Sequence, residues 1–166
     1  MRRLALIIGV LALTLPPVAG ALMRGPGDGT LVVDNAQGTI VLRVRGGIIG
    51  RFDQGTIDVT DVVDGDGPPP VIRRCEAKDL IGPRRTLCSS ETEVRFRLLG
   101  GLYRVRIEAI GLDLSVVGRG TAVLDGSLYT DQTGRYALNG GNYQSFPHTR
   151  TQLSLGTPLP ATLGSK

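Results

Sequence analysis

EVRFRLLGGLYRVRIEAIGLDLSVVGRGTAVLD, residues 93–125, is the stretch whose reading decides the fold class. In its first part apolar residues occupy every second position, Val94, Phe96 and Leu98, with Glu93, Arg95 and Arg97 between them. Tyr103, Val105 and Ile107 repeat the pattern against Arg104, Arg106 and Glu108. A period of two is what a half-buried strand needs, because successive side chains leave opposite faces of a sheet. Gly100-Gly101 separates the two runs, and paired glycines suit a two-residue hairpin turn in which both positions take positive φ. The same reasoning predicts a second hairpin, 112–117 against 120–124, with Gly118-Arg119 at its tip. The stretch therefore reads as four strands.

Register in the first hairpin carries a consequence for charge. With Leu99 facing Leu102, the apolar residues meet across the turn, and so do like charges. Arg97 comes opposite Arg104, Arg95 opposite Arg106 and Glu93 opposite Glu108. Such pairs each cost up to ~1 kcal/mol. Arg43 and Arg45 share the polar parity of their own run, 39–45. If the strands are neighbours, Arg43, Arg45, Arg95, Arg97, Arg104 and Arg106 lie on one sheet face. That face is either solvated, with Glu93, Glu108, Asp58 and Asp113 interleaved, or a platform for an anionic envelope polymer or an acidic protein surface.

Working outward, Arg2-Arg3, the apolar run 4–15 and Ala19-Gly20-Ala21 have the layout of a signal peptide over residues 1–21. Export is the expectation, to the extracellular space or the cell envelope. Loss of Arg2 and Arg3 lowers the formal net charge from +4 to +2, too little for a global field that would attract nucleic acid. Residues 22–29 form a lead-in. Residues 31–34, 39–45 and 56–60 read as strands, Gly46-Gly47 as a turn, and residues 48–51 and 116–119 as a faint internal echo (Ile-Ile-Gly-Arg and Val-Val-Gly-Arg). Residues 62–92 form a loop and arm. Three consecutive prolines, Pro68-Pro69-Pro70, exclude an interior strand, and Asp64-Gly65-Asp66-Gly67 departs from a calcium loop where Pro68 and Cys75 fall at ligand places. Cys75 and Cys88, an even pair in an exported chain, read as a disulfide that clips strands 71–76 and 85–90 together. Residues 134–138 and 152–155 give weaker strands, and 157–166 a disordered tail.

Catalytic signatures are sparse. His148 is the single histidine and lies in a loop-like Phe146-Pro147-His148, with no GxSxG elbow to partner it. The glycines are turn glycines and open no nucleotide cradle, and no cofactor is implied. Asp58, Asp61 and Asp113 supply the carboxylates for an alternative reading as an envelope glycan hydrolase.

GTIVLRVRGGIIGRFDQGTIDVTD and FRLLGGLYRVRIEAIGLDLSVVGRGTAVLDG resemble stretches of small exported proteins of high-GC Gram-positive bacteria, over residues 28–146. The resemblance implies export and an all-β fold, and it brings no activity and no site residue. The expectation is one all-β domain over residues 30–156, an antiparallel sandwich or partly closed barrel of glycine-turn hairpins, with almost no helix apart from the signal peptide. The expected role is non-catalytic binding at the cell envelope.

Overall fold

The alternating runs do become strands, and two of them are far longer than their glycines suggest. The computed structural model describes residues 25–128 and 133–157; the expected leader and nearly all of the expected tail lie outside the described residues. The fold is all-β and antiparallel, with no helix among the described residues, as the periodicity predicts. Two strands of 24 residues, β1 (Gly29–Phe52) and β7 (Leu102–Asp125), form its spine.

Each of these strands changes its inward parity once. In β1 the buried residues run Leu31 and Val33, then Ala36, Ile40, Leu42, Val44 and Ile48. In β7 they run Tyr103, Val105, Ile107 and Ala109, then Leu112, Leu114 and Val116. The changes fall beside Asn35 (φ 48°) and Gly111 (φ 66°), where one extra residue forms a β-bulge and swaps faces. The bulges let each long strand serve two differently oriented parts of one core.

The strands pair with each other along both edges. From Gly29 to Arg45, β1 runs antiparallel to β7 from Gly118 back to Leu102. From Thr39 to Arg51 its other edge pairs with Asp125 back to Asp113. A sheet with this connectivity cannot lie flat, and it curls into a half-barrel. Beyond β7 lie β2 (Gln54–Asp61), then β5 (Arg85–Ser90) and β4 (Ala77–Leu80). Beyond β1 lie β6 (Val94–Leu98) and then β3 (Val71–Arg73). The strand β8 (Arg135–Leu138) pairs with the start of β1, with β9 (Gln144–Ser145) outside it, and β10 (Thr151–Leu155) pairs with the end of β7.

Three hairpin expectations are overturned. Gly46-Gly47 and Gly118-Arg119 are not turns, because β1 and β7 run straight through them. Gly46 and Gly118 are cross-strand partners, with φ of 149° and 155°. A Cβ on Gly46 would lie 2.8 Å from the Gly118 Cα and closer still to the Val117 carbonyl oxygen. Glycine is used here for backbone approach rather than reversal. Gly100-Gly101 does separate two strands, yet β6 and β7 do not pair: β6 joins β1 and β3, while the first half of β7 joins β1 and β2. The arm also pairs differently from expectation: β5 pairs with β4 and β2, and residues 71–73 pair with β6.

Cys75 and Cys88 form a disulfide, with Cα atoms 5.8 Å apart. Its place differs from the expected clip between two paired strands. Cys75 follows β3 and Cys88 lies in β5, near opposite ends of the strand path β3-β6-β1-β7-β2-β5-β4. The bond spans the open side of the half-barrel. The Glu76 carboxylate reinforces the closure, accepting from the Glu91 backbone N–H at 2.9 Å and the Thr92 hydroxyl at 2.9 Å.

Candidate functional site

Because β6 pairs with β1 and β3, the predicted arginines are redistributed. Arg43 and Arg104 are cross-strand neighbours, with Thr60 and Thr121 beyond them. Arg106 lies beside Asp58 and Val41 and ion-pairs with Glu108 at 3.4 Å. Arg45 bonds Asp66 at 2.9 Å. Arg95 and Arg97 lie on β6, facing β1 residues 51 and 49 past the Gly46 crossing. The six thus do not form the single row that the hairpin register implied. None of the pairs Arg97–Arg104, Arg95–Arg106 or Glu93–Glu108 exists as a cross-strand pair, so the repulsion expected of them is absent.

The Arg95 and Arg97 side chains line a groove of about 880 Å³ on the outer face of the β1, β7, β6 and β3 sheet. Two cross-strand rows build it. The first row is Val71, Arg97, Ile49, Ser115 and Val32, running from β3 through β6, β1 and β7 to the start of β1. The second, one side-chain repeat away, is Arg73, Arg95, Arg51 and Asp113. Neighbouring strands lie ~4.8 Å apart and the two rows ~7 Å apart, so the backbone positions of Arg73, Arg95 and Arg97 mark out a triangle on the sheet. At the far end Arg135 bonds Asp34 at 2.6 Å and lies 4.6 Å from the Tyr143 ring centroid. Tyr143 is half exposed and forms that end of the groove.

The charges in the groove do not balance. Glu93 receives three arginines: Arg74 at 2.8 Å, Arg95 at 2.9 Å and Arg51 at 3.4 Å. Its carboxyl is held below the usual range, chiefly by the Arg95 hydrogen bond. Arg51 also meets Asp113 at 2.5 Å and Asp53 at 3.4 Å, and the Asp113 hydrogen bond raises its already high pKa. Three guanidinium groups thus share three carboxylates. Arg73 and Arg97 stand beside this network with no ion pair among the described residues.

The carboxylates of the hydrolase reading are dispersed. Asp58 is held in a fork by Arg85 at 3.0 and 2.6 Å. Asp113 is held by Arg51 and also accepts from the Asn35 N–H at 2.8 Å. Asp61 is elsewhere, at the end of β2 beneath the 62–70 loop. Burial, then the nearby charge of Asp66, pushes its carboxyl pKa up. Asp66 has a structural task, accepting from Arg45 and from the Leu102 N–H, and the buried Tyr103 hydroxyl donates to the Pro68 and Leu99 carbonyls. The Asp-Gly-Asp-Gly run therefore ties the loop to the β6–β7 connection. Of the three, only Asp113 lines the groove.

Arg95 and Arg97 were identifiable from strand parity. Arg51, Arg73, Val71, Ile49, Val32 and Tyr143 were not assigned to any site, because a cross-strand row is visible only once the pairing is known. Comparison with protein-family models, curated proteins and solved structures finds no match.

Proposed function

We propose that the protein is an exported, non-catalytic binding protein of the cell envelope that holds an anionic partner in the groove between Arg73 and Tyr143. The observation that carries this reading is the surplus of Arg73 and Arg97 over the internally neutralised network around Glu93. Guanidinium groups in a concave site offer forked donors to phosphate or carboxylate oxygens. An external anion would complete the charge pairing begun by Glu93 and Asp113. Export is supported by the leader-like residues 1–21 and fits the disulfide, since such bonds persist in oxidising compartments.

The test is thermal unfolding at low salt with poly(glycerol phosphate) or polyglutamate. Ligand that binds only the folded state raises the melting temperature by mass action, and added salt should diminish the rise. Arg73→Gln with Arg97→Gln should remove it. A protein indifferent to both polyanions at low salt contradicts the proposal.

A further inference from the structure

The floor of the groove is unusual for a surface meant only to bind charge. Outward positions of a solvated sheet normally carry polar side chains. Here the row that contains Arg97 places Val71, Ile49 and Val32 outward, with Ser115 its only uncharged polar member. Val71 is 42% exposed. From β6 to the first part of β1 the row crosses three strand spacings, ~14 Å, and it leads from the arginine triangle toward Tyr143. One end of the groove is therefore cationic, and the track leading from it is apolar and closed by an aromatic ring.

Resting on the anion-binding reading, we infer that the ligand is an amphiphile: a phosphate-bearing group seated among Arg73, Arg95 and Arg97, with an apolar chain laid along Ile49 and Val32 toward Tyr143. A phosphate monoester suits the charge, since it carries about −1.5 to −2 near neutral pH and the groove has two surplus arginines. The chain removes Ile49, Val32 and the Tyr143 ring from water, a contribution that a plain anion cannot make.

Titration calorimetry with dodecyl phosphate, below the concentration at which it forms micelles, tests this against methyl phosphate and the neutral amphiphile dodecyl maltoside. Dodecyl phosphate should bind at least ~10-fold more tightly than methyl phosphate, equivalent to ~1.4 kcal/mol. Ile49→Ser and, independently, Tyr143→Ala should shrink that gap, weakening dodecyl phosphate more than methyl phosphate. Both positions are on the outer face, so the inward core is untouched. Arg97→Gln should weaken both phosphates. Equal affinities for the two phosphates, both lowered by Arg97→Gln, overturn the amphiphile and leave the anion groove standing. Dodecyl maltoside binding as well as dodecyl phosphate, or no phosphate binding at all, overturns both.

Discussion

Replacing Gly118 with alanine separates a strand crossing from a hairpin turn. If Gly118 sat at a turn tip, alanine would cost only the strain of its backbone conformation, ~1–2 kcal/mol. In the structure its φ is 155°, and a new Cβ would lie 3.0 Å from both the Arg45 carbonyl carbon and the Gly46 Cα, and nearer still to the Arg45 carbonyl oxygen. These are backbone atoms of the paired strand, so no side chain can rotate away. Forcing β1 and β7 apart adds an overpacking cost of ~1–3 kcal/mol to the conformational strain of ~1–3 kcal/mol. The expected total is ~2–6 kcal/mol, a large fraction of the roughly 5–15 kcal/mol that holds a typical domain together. Gly140 supplies the control, because its φ is 73° and a Cβ there meets nothing within 4 Å. Urea unfolding of Gly118→Ala and Gly140→Ala measures the two costs under one set of conditions. A Gly118→Ala loss no larger than that of Gly140→Ala would refute the crossing.

Reduction of Cys75–Cys88, which closes a loop with sequence separation 13, should cost ~3 kcal/mol and lower the melting temperature by ~10 °C. Circular dichroism should still show β-structure, since the long β1–β7 ladder lies outside that loop. Glu76 and Glu93 are both held below the usual carboxylate pKa of 4.5, Glu76 first by the Glu91 N–H and Glu93 first by Arg95. Their contribution is full above the unfolded value and lost as pH falls through the lower folded values. Denaturation curves from pH 6 to pH 2 should thus fall below about pH 4.5, and less steeply in Glu93→Gln. Asp61 works in the opposite sense: its raised pKa costs stability as pH climbs above 3.8. Asp61→Asn should gain stability at pH 7 and lose that gain near pH 3, where the carboxyl is already neutral, as measured by urea unfolding.

Local chemistry was legible wherever a run of alternation stood alone. Val94, Phe96, Leu98, Tyr103, Val105 and Ile107 were expected inward from parity, and all are buried. Ile57 and Val59 behave alike. Pairing was not legible, because glycine permits both turns and close backbone contact, and the local sequence around Gly46 or Gly118 does not distinguish them. The deciding fact is that these two glycines face each other from strands more than seventy residues apart. The internal echo belongs to the same ladder, since Ile48 pairs with Val116. Half of the groove was hidden for a related reason: Val71 to Arg73 is too short a run to show a period, and its partnership with β6 places Arg73 next to Arg95.

The central claim is that Arg73, Arg95 and Arg97, and not the Arg43–Arg104 pair, receive the anion. Arginine side-chain Nε–H resonances followed by NMR during titration with dodecyl phosphate test it directly. The account predicts saturable shifts at Arg73, Arg95 and Arg97, together with the backbone amides of Ile49 and Val32, while Arg43, Arg104 and Arg106 stay still. Shifts concentrated at Arg43 and Arg104, or spread evenly over every exposed arginine, would contradict it.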